Sequence, residues 1–62
     1  MEYEDFEKEF KKLNNENSCV FVGHAGGFYI ADEFHLGDMS VFLYLSKVFI
    51  GKIKLDAITK VE

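Results

Sequence analysis

The hydrophobic period of this chain changes once, at Ser18, and that change fixes the class of fold it can adopt. Before Ser18, Tyr3, Phe6, Phe10 and Leu13 recur at spacings of three and four. Side chains so spaced form one stripe along an α-helix. After Ser18 the apolar residues recur at spacings of two and are mostly β-branched or aromatic, which is the pattern of strands. The expectation is an α+β domain with an amphipathic helix over residues 2–14, followed by a curled antiparallel sheet of four to five short strands.

Local signals sharpen the helix. Its acids fall early and Lys11 and Lys12 fall late, which suits the helix dipole. Glu4 with Lys8 and Glu7 with Lys11 make favourable pairs one turn apart. Asn14 and Asn15 tolerate the left-handed conformation that ends helices.

The strands are expected at 19–24, 28–36, 39–45, 48–55 and 59–62. Ala25, Gly26 and Gly27 give the turn between the first two, and Gly37 with Asp38 a two-residue turn before the third. Pairing Leu36 with Met39 puts Phe28, Ile30, Phe34 and Leu36 on the same face as Met39, Val41, Leu43 and Leu45. Asp32 then stands on that apolar face opposite Leu43, which calls for a bulge near Ala31 to Glu33. The other face carries Tyr29, Ala31, Glu33 and His35 beside Ser40, Phe42 and Tyr44. Gly51 interrupts the fourth strand, as glycine does where a sheet bends. Asp56, Ala57 and Ile58 read as a helical turn before the last strand. Short strands after a helix, with the turn Leu55-Asp56-Ala57-Ile58-Thr59 before the last, resemble small SH3-like and Sm-like barrels. The resemblance covers the tail of the chain and implies a barrel-like curl. No site residue carries over, because the glycine and aspartate positions that mark Sm-like RNA-binding sites have no counterpart here.

Size sets the energetic frame. A chain of 62 residues forms one domain and buries only about 60% of its unfolded surface. Disulfides, a metal or association support such folds, and the single Cys19 rules out an internal disulfide. The apolar runs, of which Val41 to Leu45 is the longest and Val48 to Ile50 another, are far short of the roughly 20 residues of a membrane helix. The chain opens without a basic segment followed by an apolar one, so the expected location is cytoplasmic, with no membrane partner.

Chemistry-bearing residues are sparse. Cys19, His24 and His35 lack the paired spacings of a structural zinc site, and no nucleophile stands beside a base and an orienting third group. The glycines at 23, 26 and 27 match neither phosphate-binding loop pattern and precede a strand. The expectation is therefore a protein that is not an enzyme and has no metal and no cofactor.

Charge argues against a nucleic-acid partner without removing the option. The chain is net −4 and has no Arg, yet residues 47–62 sum to +2 and carry Lys47, Lys52, Lys54 and Lys60. Phosphate contacts need such cations, and exposed aromatics could stack single-stranded bases. The same lysines also serve to discourage aggregation at a sheet edge.

Apolar excess is the strongest functional signal. Hydrophobic residues are 48% of the chain and aromatics 16%, more than one short helix can cover on two faces of a sheet. Leftover apolar area marks a self-association or partner surface. Tyr29, Glu33, Phe42, Tyr44 and Phe49 are the expected partner-binding residues, since aromatic residues are enriched at interfaces. Codon preference adds a hint about origin. Phe, Tyr, Ile, Asn and Lys number 24 against 8 for Gly, Ala, Arg and Pro, which points to an AT-rich genome, where short genes are often accessory or phage genes. The expected function is a homo-oligomeric interaction module that inhibits or regulates another protein, in concrete form a phage-type inhibitor of a host or defence protein. The alternative is a small barrel that binds single-stranded nucleic acid.

Overall fold

The apolar stripe near the N-terminus forms a helix, α1 (Tyr3–Asn17), in the computed structural model, which describes residues 2–62. Phe6 and Phe10 are buried, and both rings meet Phe34 edge-on, at 5.0 and 4.8 Å between centroids. The helix runs three residues past the expected end. Asn14 stays helical because its amide donates to the Asp32 carbonyl at 3.0 Å. Ser18 takes the left-handed position instead, with φ of 69°, and donates its N–H to Asn14 O. Lys11 and Lys12 thus sit inside the helix rather than in its last turn. Of the two expected charge pairs, Lys11–Glu7 forms at 3.3 Å.

Six strands follow: β1 (Val20–His24), β2 (Gly27–Ala31), β3 (Glu33–Leu36), β4 (Ser40–Leu45), β5 (Val48–Lys54) and β6 (Ile58–Val61). A turn of 3-10 helix at Leu55–Ala57 precedes the last. They form two antiparallel sheets, sheet A in the order β2-β1-β6 and sheet B in the order β3-β4-β5. The expected helix and antiparallel strands are present, but the curl does not close into a barrel. β5 and β6 end their sheets without pairing to each other.

The expected long second strand is divided at Asp32 into β2 and β3, and the division reverses its first half. Val20 pairs with Ala31 and Val22 with Tyr29, so Ala31 and Tyr29 share the inward side with two fully buried valines. Phe28 and Ile30 point the other way and are 56% and 43% exposed. Past Asp32 the expected parity holds, with Phe34 opposite Leu43 and Leu36 opposite Val41, but Leu36, Met39 and Leu45, expected on the core face, lie at the ends of the strands and are exposed. The expected Leu36–Met39 pairing is replaced by one two residues further on, so residues 37–40 form the turn, closed by Gly37 N–H donating to Ser40 O at 2.7 Å. The bulge was in the right place, but it exchanges inside for outside across one residue.

Asp32 holds this break through three bonds. Its N–H donates to Tyr44 O at 2.9 Å, its carbonyl accepts from Asn14, and its carboxylate accepts the Ser46 N–H at 3.2 Å. Ser46 and Lys47, both at positive φ, make the tight turn between β4 and β5. The core between the sheets and α1 consists of Phe6, Phe10, Val20, Val22, Ala31, Val41, Leu43, Ile53 and Ile58. No helix among the described residues is long and apolar enough to cross a membrane.

Candidate functional site

Alternation along sheet B builds the site. Phe34, Val41, Leu43 and Ile53 turn inward to the core, so their neighbours Glu33, His35, Phe42, Tyr44 and Lys52 turn outward. The register sets them side by side: Glu33 opposite Tyr44, His35 opposite Phe42, Phe42 opposite Lys52 and Tyr44 opposite Phe49. A shift between Leu43 and Tyr44 lets Phe49 and Lys52 occupy the same side.

The result is a connected aromatic face. His35 meets Tyr44 edge-on at 5.1 Å, Tyr44 meets Phe49 at 5.6 Å, and Phe49 meets Phe42 at 6.3 Å. Edge-to-face arrangements at these distances are favourable. Lys52 Nζ lies 5.5 Å above the Phe42 ring centre, within cation–π range. His35 Nε2 and the Glu33 carboxylate are 2.8 Å apart. Phe49 is 53% exposed, and α1 packs on the opposite side of the sheet through Phe6, Phe10 and Phe34.

Gly37 makes room for this face. A Cβ there would meet Phe42 Cε2 at 2.3 Å, so the absence of a side chain lets the Phe42 ring lie flat over the β3–β4 turn.

Four of the five expected partner-binding residues come together here: Glu33, Phe42, Tyr44 and Phe49. Tyr29 does not join them. It stacks on His24 at 5.2 Å and covers Gly51 of β5, where an added Cβ would lie 2.5 Å from its ring. His35 and Lys52 complete the face and were not among the expected site residues. Their signal was their alternation with apolar neighbours, and the β4–β5 shift that aligns Lys52 with Phe42 falls at Gly51, the glycine that interrupts this strand in the sequence.

A second apolar surface lies on the outside of sheet A. Phe21 pairs with Ile30 and Gly23 with Phe28, and the Phe21 and Phe28 rings stack 4.6 Å apart. Between α1 and the Asp32 bend runs an open groove of about 400 Å³ lined by Phe10, Lys11, Asn14, Asn15, Asp32, Glu33 and Phe34.

Cys19 is half-buried before β1, while the His24 ring accepts the Gly26 N–H at 3.1 Å. No three or more His, Cys, Asp or Glu side chains cluster as metal ligands among the described residues.

Fold and face together define a small α+β domain that presents an aromatic and basic sheet surface. No protein-family model, no curated protein and no solved structure matches the chain.

Proposed function

We propose that this protein is a non-enzymatic interaction module that binds another protein through the outer face of sheet B. The observation that carries this reading is the linked set His35, Phe42, Tyr44 and Phe49 on the side of the sheet that the helix leaves uncovered. Aromatic clusters of this kind anchor interfaces, because rigid rings bury large areas at small entropic cost. The chain also self-associates in this reading, through the stacked Phe21 and Phe28 with Ile30. In its concrete form the module inhibits or regulates a host or defence protein on behalf of a phage, a role suggested by its size and AT-rich residue bias.

The test compares wild type with Tyr44→Ala and Phe49→Ala by circular dichroism and by capture from host lysate. Both variants are expected to stay folded and to lose a protein that wild type retains. Unchanged capture by both variants removes the face from the interaction.

Lys52 over the Phe42 ring, with Lys54 beyond it on the same strand, supports a second reading in which the face stacks the bases of single-stranded nucleic acid. That reading requires oligonucleotide affinity that falls steeply with salt.

A further inference from the structure

β5 is the last strand of sheet B, so no strand is hydrogen-bonded to its outer side, while Tyr29 of β2 packs against it at Gly51. An open edge is a template for another extended chain, and partner recognition by strand addition uses it. The side chains along the edge decide which chain fits.

Lys47, Lys52 and Lys54 are all exposed on this strand and its turn. None of them takes part in the ion pairs among the described residues, which join Lys11 to Glu7, His35 to Glu33 and Lys60 to Glu62. β5 and its turn therefore carry three exposed lysines outside these ion pairs on a chain of net −4, with Asp38 and Asp56 lining a small cavity beside Lys54. A second copy fits β5 poorly. A second β5 strand carries the same lysines and no carboxylate, so it offers them no opposite charge. The chain's own acid-rich segment is the helix α1, committed to the core through Phe6 and Phe10.

We infer that β5 accepts an extended acidic segment of another protein as an added strand. Lys52 and Lys54 are two residues apart on the outer face, so the fitting sequence places carboxylates at the two alternate positions beside them. The inference rests on the reading of this face as a protein-binding surface, and it names the chemistry of the partner.

The test uses the whole labelled protein with two octapeptide probes, one alternating Glu and Val, the other alternating Lys and Val. Amide exchange is followed by NMR, with the aromatic ring resonances observed in the same samples. The expected result is binding of the Glu–Val peptide alone, weakened by salt, with slowed exchange at alternate amides of residues 48–54. Lys52→Glu combined with Lys54→Glu should weaken that binding by at least about tenfold and shift preference to the Lys–Val peptide. Both lysines are exposed, and the exchange pattern of the unaltered protein decides the question even if the double variant fails to fold. Perturbed Phe42, Tyr44 and Phe49 rings without slowed β5 amides would overturn strand addition and leave the face as a binding surface. No response to the Glu–Val peptide, or equal response to both, would overturn the choice of an acidic partner. The reading of the face itself fails elsewhere, in unchanged capture by the Tyr44→Ala and Phe49→Ala variants.

Discussion

Asp32 touches three elements at once, and its backbone and side chain do different work. The N–H to Tyr44 and the carbonyl to Asn14 fix the bend, while the carboxylate holds the Ser46 N–H of the neighbouring turn. Replacing Asp32 by Ala removes only the last of these. The expected loss is about 1 kcal/mol in urea unfolding, the worth of one partly exposed hydrogen bond. Tyr29 and Tyr44 give a sharper test. Tyr29 lies on the core side against Gly51, whereas Tyr44 faces outward beside His35 and Phe49. Tyr29→Ala should therefore destabilise the fold more than Tyr44→Ala, and equal losses in denaturant titration would put both rings on equal footing. Gly51→Ala forces the Tyr29 ring aside at an expected cost of about 1–3 kcal/mol. Much of that cost should vanish when Tyr29 is already Ala, which a double-mutant cycle measures.

At the scale of elements, the helix was legible because its stripe and its core contacts coincide. Phe6 and Phe10 lie one turn apart, and Phe34 closes on both. Phe10→Ala should cost about 3–5 kcal/mol, as large buried aromatics do, measured as loss of helical circular dichroism at lower denaturant. The strands from 33 onward were legible for the same reason, since Phe34, Val41, Leu43 and Ile53 alternate with polar or exposed neighbours. The first half of the bent strand was not. Phe28 with Ile30 and Tyr29 with Ala31 are both apolar enough to face a core, so alternation alone does not choose between them. Close packing of Tyr29 on Gly51 and of Ala31 between buried neighbours makes the choice, and those are contacts between residues far apart in sequence. The site was legible in part: Phe42 and Tyr44 were visible as outward residues and Gly51 marked a bend in β5, but that the bend brings Phe49 and Lys52 to one side is set by its pairing with β4.

For the molecule as a whole, the apolar excess lies on an outer surface of each sheet and at the strand ends, where Leu36, Met39 and Val48 are exposed. A small domain that leaves Phe28 more than half exposed gains by covering it. Sedimentation at micromolar concentration is expected to show at least a dimer, and Phe28→Ser should shift it toward a species of 7.2 kDa. A wild-type protein that sediments as a monomer at every concentration removes self-association from the proposed function. Sheet A also has a temporal consequence. Its central strand β1 is flanked by β2 on one side and by β6 on the other, with Phe21 and Glu62 exchanging two backbone bonds of 2.8 Å. During folding the helix and the first hairpin form from local contacts, yet one side of the β1 backbone stays unpaired until β6 closes on it. Closing that long loop delays folding more than local pairing does. Until that closure the central strand of sheet A keeps an open edge, through which two folding chains can pair with each other.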